Sequence, residues 1–369
     1  MNNVTQKQLS EIIAKYLKSN KISIVGFEAN KNNVAGLIDK VGATFMIDGE
    51  EEEELAFMDA TLSAGTTIEE YFEDFVPPLA YNPNSGLENV TRRDPTYRPV
   101  RYSYSQGRQK FKTTKPFYNL QSAFNTEAGA VEAMTKILSR LDSSWRMWRN
   151  DVKREVVGQY AKRASDLMTN AKTFAVSTAY SVGESVKDAS GNVAIVFNAI
   201  AASNTATFAE LVKDGHLAPI ELSTSVDVPT DNDTGKAFIK AVKYYARKMS
   251  HKNHENLNGA LIKKTPSGSA RLIINTYLMP DIEVETLAGA FHEDKLAMPV
   301  TIEEVEDFGS NSDVLAVLVD ERGLKLYNNY MAVRTTVLAD DDALNAVKHT
   351  DDTAFYSANT FIHVFNKKA

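Results

Sequence analysis

The longest regular pattern in the chain is helical. Val131, Met134, Leu138, Leu141, Trp145, Trp148, Val152, Val156 and Tyr160 recur at helical spacing, and no proline interrupts residues 127–167. Arg140, Arg146, Arg149, Lys153 and Arg154 occupy the rest of the wheel. At about 1.5 Å per residue such a helix runs to roughly 60 Å, whereas a compact globule of this length is about 50–55 Å across. Either the subunit is elongated and plate-like or the helix breaks, and Gly158 is the natural breaking point.

Beyond this helix, residues 170–369 alternate between helical and strand periods. A capping box at Thr207 and Glu210 opens a helix that ends near Gly215, and a second helix runs from Asp233 with Phe238, Ala241, Val242, Tyr245 and Met249 inward. Strands are predicted at 271–278, 298–308, 313–320, 323–337 and 358–366, with a helix at 283–292. Before the long helix the pattern is weaker. Residues 5–18 form a short amphipathic helix, and the Asn- and Gly-rich 26–36 reads as a flexible connector. Pro77, Pro78, Pro83, Pro95, Pro99 and Pro116 break up residues 45–118, leaving one short helix that starts at a Thr67–Glu70 capping box. The fold class is α+β, a central-sheet domain preceded by an arm, an extended loop and a long helix.

Composition narrows the function classes. The chain has 369 residues, 43% of them hydrophobic and 24% charged, and reads as a soluble globular protein. No apolar run is long enough to span a bilayer, and the first twenty residues lack the features of a secretory signal, so the expected compartment is the cytoplasm where the chain is made. With Cys at 0, disulfides, thiolate nucleophiles and thiolate metal sites are excluded.

Candidate chemistry is sparse. His251, His254 and Glu255 in HKNHE have a spacing that can ligand a metal, but the pattern is not HExxH, and the asparagines around it suggest a frayed, solvated helix end. TDNDTG at 230–235 imitates the start of a calcium loop, yet the twelfth position from Asp231 is Val242 where a bidentate Glu is required. Asp233 as an N-cap explains it better. Glu303 with Glu304, and Asp340 to Asp342, are acids of the kind more often found at surfaces and turns than in acid–base pairs. There is no phosphate loop, no dinucleotide fingerprint and no nucleophile elbow. No catalytic, cofactor or metal residue is nominated.

Charge changes the picture. The formal net charge is -7, yet residues 48–75 contain acids and no Lys or Arg, while 92–115 carries Arg92, Arg93, Arg98, Arg101, Arg108, Lys110, Lys112 and Lys115 against Asp94 alone. Basic residues interleaved with Tyr97, Tyr102, Tyr104, Phe111, Phe117 and Tyr118 would suit single-stranded nucleic acid, but the neighbouring acidic block would repel phosphate. A second reading is that the basic stretch meets an acidic surface on another copy of the chain. On it the intersubunit residues are Glu51, Glu52, Glu53, Glu54, Arg92, Arg93, Arg98, Arg101, Arg108, Lys110 and Lys112. The plain reading is two solvated faces of a mobile loop.

The order of parts resembles the major capsid proteins of tailed bacteriophages, the Hong Kong 97-type fold. GTTIEEYFEDF (65–75), QGRQKFKTTKPFYNLQSAF (106–124) and DVLAVLVDERGLKLYNN (313–329) resemble in particular the capsid proteins of phi 29-like, Picovirinae short-tailed phages. The resemblance implies an N-terminal arm and connector at 1–44, an extended loop at 45–118, a spine helix and peripheral domain at 119–170, an axial α+β domain at 171–357 and a returning strand at 358–369. It further implies self-assembly into hexamers and pentamers of an icosahedral shell that encloses double-stranded DNA, contacted weakly. A separate scaffolding protein and a portal are the expected partners, with no membrane, no cofactor and no enzymatic activity. The expected location is the virion, after assembly in the bacterial host cytoplasm. The chain stops at FNKKA without the extra immunoglobulin-like domain of some relatives, and no long helix precedes residue 30 as a fused scaffold. The alternatives are an encapsulin-like compartment, which shares the fold, a nucleic-acid binder using residues 92–118, and an unrecognised hydrolase.

Overall fold

The structure, a computed structural model, describes residues 53–61, 67–73, 97–103, 107–116, 127–262, 264–266, 268–278, 300–338 and 340–368. The expected helices at 5–18 and 283–292 and the connector at 26–36 lie outside these residues. The strands in chain order are β1 (Asp59–Thr61), β2 (Thr67–Glu73), β3 (Tyr97–Ser103), β4 (Arg108–Pro116), β5 (Lys172–Thr173), β6 (Ser185–Lys187), β7 (Val193–Val196), β8 (Leu217–Ile220) and β9 (Ser223–Val226). They continue with β10 (Ala270–Asn275), β11 (Thr301–Val305), β12 (Val314–Asp320), β13 (Leu324–Leu338), β14 (Ala343–Tyr356) and β15 (Ile362–Lys367). The helices are α1 (Glu127–Thr169), α2 (Phe208–Lys213) and α3 (Asn232–Met249).

Helix α1 is unbroken over 43 residues, about 65 Å at the standard rise. Gly158 therefore does not end it. That glycine is there for a close approach, since a Cβ would lie 2.1 Å from the Phe308 carbonyl oxygen.

The chain divides into two units, and both are discontinuous in sequence. The first comprises residues 1–65, 104–153 and 326–354. Its sheet has the order β1-β13-β14-β4, with β1 parallel to β13 and β4 antiparallel to β14. Leu138, Leu141 and Trp145 of α1 are buried in this unit, together with Leu326, Val333, Ala343, Leu344 and Ala346 of the two long strands.

The second unit comprises residues 66–103, 154–325 and 355–369. Its main sheet has the order β11-β10-β12-β15-β9. Central β12, VLAVLVD, is buried at every position, as expected of a strand covered on both faces, and so reads as an apolar run without alternation. Phe238, Val242, Tyr245 and Met249 of α3 join Leu272, Ile274, Leu318 and Phe365 in one core. A smaller sheet, β5-β6-β7-β8, packs Val186, Ala194, Val196 and Leu217 against Leu211 of α2 and Tyr180. The Thr207–Glu210 capping box is present at α2.

Several expectations need correction. Residues 67–73 are strand, not the capped helix read from Thr67 and Glu70. TIEEYFE is rich in β-branched and aromatic residues, whose preference for a pleated surface outweighs a capping motif. Asp231, not Asp233, caps α3, its Oδ1 accepting from the Asp233 and Thr234 amides at 3.1 and 2.8 Å. Strand β14, 14 residues long, was not foreseen at all.

Candidate assembly surface

The acidic and basic blocks meet inside one chain. Strand β2 pairs antiparallel with β3, and the register sets Glu69 opposite Arg101 and Phe72 opposite Arg98. Strand β4 pairs with β14, placing Arg108 opposite Asp351, and the two side chains approach to 3.9 Å. The register thus sets one acid–base pair across the ribbon, Glu69 and Arg101, and a second across β4 and β14, Arg108 and Asp351; a cross-strand pair of opposite sign contributes about 0.2–1 kcal/mol. Arg98 and Arg101 lie on β3. Glu51, Glu52, Arg92 and Arg93 fall outside the described residues.

Glu53 and Glu54 have partners in their own subunit. The Glu53 carboxylate lies 3.5 Å from Arg149 and 3.7 Å from Lys153 of α1. Glu54 is held through its backbone: its amide donates to Asn150 at 3.2 Å, and its carbonyl accepts from Lys153 at 2.8 Å. Buried cations on α1 thus hold the segment that carries both residues, and the Glu53 side chain stays partly exposed.

Along β4 the two faces differ. Arg108, Lys110 and Lys112 are exposed, while Phe111 is half-buried and meets Trp148 edge-on at 6.0 Å. The alternation follows from strand geometry, with the ring turned to α1 and Lys110 and Lys112 to the outside. It leaves a basic strip on the outermost strand of the sheet.

Sequence reasoning missed the most charged part of the interior. Trp145 is 1% exposed; its Nε1 donates to Asp352 at 3.1 Å, and Lys348 and Arg149 lie 3.7 and 4.8 Å from its ring centre. Lys348 pairs with Asp142, which also accepts from Arg146 at 3.0 Å. Lys153, fully buried, donates to Asp59 at 2.8 Å, and Arg149 donates to the same carboxylate at 2.6 Å. Burial holds the Lys153 and Lys348 ammonium groups below their ordinary pKa, although the facing acids oppose it. Burial likewise pushes the Asp59 carboxyl up against the pull of Arg149 and Lys153. Burial acts to raise Glu53 as well, but there Lys153, a hydrogen bond with Asp59 and Arg149 prevail and lower it. The network pins β1 and the turn before it onto α1. The one sequence signal is the i, i+3, i+7 spacing of Arg146, Arg149 and Lys153, which sets them on one helix face.

The candidates for chemistry resolve into architecture. The HKNHE stretch is not frayed: Asn253 and Asn256 are buried, and the Asn256 side chain donates to the Ala260 carbonyl at 2.6 Å while accepting from the Asn258 and Ala260 amides. His254 Nδ1 contacts the Gly259 carbonyl at 2.8 Å, and Glu255 pairs with Lys248 at 2.7 Å. Asparagine here substitutes for backbone partners in a tight loop. Glu303 pairs with Arg271 at 3.2 Å and Glu304 accepts from Thr276 at 2.8 Å. Asp340, Asp341 and Asp342 are exposed in the turn between β13 and β14. Among the described residues no group of acids and histidines is placed to hold a metal, and no helix is long and apolar enough to cross a membrane.

A spine-like helix, paired loop strands and an α+β body define a phage-capsid architecture, and solved structures bear this out at the level of fold. The capsid structure of Staphylococcus phage Andhra superposes with a TM-score of 0.53 at 10% identity, covering 88% of this chain and 90% of that chain. The asymmetric unit of the mature capsid of bacteriophage PhiM1 gives 0.50 at 9% identity, covering 88% and 90%. No curated protein matches in sequence. Residues 1–365 match the Phi29-like phage major capsid protein family, and the chain belongs to it. It is a structural subunit of the phage head, forming the virion shell by association with copies of itself.

Proposed function

We propose that the chain assembles through hexamers and pentamers into an icosahedral shell around double-stranded DNA, and that the basic strip on β4 is one of the surfaces joining neighbours. The observation that carries the contact surface is the exposure of Arg108, Lys110 and Lys112 on an outermost strand. Read from the charge pattern of the sequence, Arg92, Arg93, Arg98 and Arg101 are further proposed contact residues, with Glu51, Glu52, Glu53 and Glu54 as candidates for the facing acids. Residues 45–118 act as the extended loop, 119–170 as the spine and peripheral domain, and 171–357 as the axial domain. Assembly takes place in the host cytoplasm with a separate scaffolding protein and a portal, and the subunit performs no catalysis. An acidic chain of net charge -7 contacts the packaged DNA weakly.

Lys110→Glu with Lys112→Glu tests the surface. Both side chains are exposed, so the double variant is expected to keep its circular dichroism spectrum and melting temperature while losing particles in negative-stain microscopy. Particles formed at the parental yield would remove β4 from the interface.

A further inference from the structure

The loop between β14 and β15 presents two hydrogen-bond donors to a carboxylate. Ser357 Oγ donates to Glu70 Oε1 at 2.6 Å, and Asn359 Nδ2 donates to Glu70 Oε2 at 3.0 Å. Neither donor is free to turn round. Asn359 Oδ1 is taken by Asn258 Nδ2 at 2.8 Å, which leaves its NH2 facing Glu70. Ser357 Oγ accepts from the Asn359 amide at 3.0 Å, leaving its O–H to donate. Asn258 is itself set by its backbone N–H, which donates to the buried Asn256 side chain and to the Ala358 carbonyl. The backbone is fixed too: the Ser357 amide donates to the Gly323 carbonyl at 2.8 Å, and a Cβ at Gly323 would strike Thr360 at 2.0 Å. Ser357 is 1% exposed. An asparagine-rich loop thus orients a second loop as a receptor for an acceptor-only group.

Glu70 lies in the middle of β2, opposite Val100 of β3. A two-stranded ribbon is marginally stable by itself, so the direction in which it leaves the body depends on such attachment points. We infer that Glu70 is a positioning residue for shell assembly: its seat on Ser357 and Asn359 aims the β2–β3 ribbon at the neighbouring subunit. This rests on the ribbon being an intersubunit element. It goes further in naming the joint that sets its angle.

The donor and acceptor polarity of the joint supplies the test. In Glu70→Gln one carboxylate oxygen becomes an NH2 that faces a fixed donor, and in Asn359→Asp two carboxylates face each other. Combined, the two changes restore complementarity, because the introduced amide donates to the introduced carboxylate and accepts from Ser357. Each single variant is expected to lower particle yield at least about tenfold, the scale of a lost charge-assisted hydrogen bond, and the double variant to recover it. Hydrogen exchange on unassembled subunits supplies a second reading: amides of 67–73 and 97–103 should exchange faster in each single variant while those of β12 and α3 stay protected. Single variants that assemble as the parent does, a double variant no better than either single, or exchange rising uniformly across the body would each overturn the inference. A parental chain that forms no shell under any condition would instead count against the shell-surface reading, and the exchange pattern would still decide the joint.

Discussion

Trp145 and Trp148 sit three residues apart on α1 and meet different surroundings. The indole of Trp145 is 1% exposed between two cations and an aspartate, whereas Trp148 is half-buried against Phe111. Trp145→Ala should cost about 3–5 kcal/mol, the usual range for a large aromatic removed from a core, and Trp148→Ala distinctly less. Urea denaturation of both variants checks the order, and equal losses would mean that the α1 stripe is packed evenly. His363 carries a residue-scale pH dependence. It is fully buried and stacks on Tyr245 at 3.4 Å, its Nδ1 donates to the Glu221 carbonyl at 2.8 Å, its Nε2 lies 3.1 Å from the Thr224 hydroxyl, and Lys248 and the Glu221 carboxylate are near. Burial lowers its pKa from 6.5 to about 3. Above the unfolded pKa both states are neutral and nothing is lost. Between 6.5 and about 3 the unfolded chain takes up a proton that the native one refuses, so stability declines as the pH is lowered, by up to about 1.4 kcal/mol per unit. In His363→Phe the ring remains and that slope should flatten between pH 6 and 4; an unchanged slope would assign the acid sensitivity to the carboxylates.

At the scale of elements, α1 can be read from sequence because its apolar spacing is long and uninterrupted, and so can β12, whose apolar run reflects burial on both faces. Strand β14 cannot. Its buried positions include Lys348, Thr350, Asp351, Asp352 and Thr353, residues that mark a strand interior only once the cations and aspartate of α1 are known to face them. The same holds for the candidate surface: the exposed lysines of β4 are legible as charge, but the contacts of Glu53 and Glu54 with Arg149, Lys153 and Asn150 join positions about 90 to 100 apart in the chain. The Glu70 joint was hidden for the same reason, its partners standing 287 and 289 positions away. Gly158 shows how a local rule can reverse. Replacing a glycine inside a helix by alanine ordinarily stabilises by about 0.5–1 kcal/mol, but here the added Cβ would meet a backbone oxygen at 2.1 Å. Gly158→Ala should therefore destabilise, by about 1–3 kcal/mol as overpacking does. A more stable variant in chemical denaturation would show that the 308–311 loop gives way at little cost.

At the scale of the whole molecule, the question is what a net charge of -7 combined with an exposed basic strip favours as a partner. Exposed ion pairs contribute about 0–1 kcal/mol each, too little to hold a single pair of subunits but enough when repeated around a closed shell, where weak contacts also let misplaced subunits leave. Such contacts are screened by salt, the Debye length falling from about 8 Å at physiological ionic strength to about 3 Å at 1 M. Assembly through the β4 strip should therefore need a higher protein concentration as salt rises, whereas assembly driven by apolar burial alone would hold steady or strengthen. Light scattering across a salt series distinguishes the two. A nucleic-acid partner predicts something else: tight binding of single-stranded DNA whose affinity falls steeply with salt, about 0.7 in log K per phosphate contact for each log unit of salt. A chain of net charge -7 repels phosphate overall, and DNA binding at physiological salt is expected to be weaker than micromolar. Submicromolar binding by the parental chain, together with particle formation that ignores salt, would transfer the basic strip from protein contact to nucleic acid.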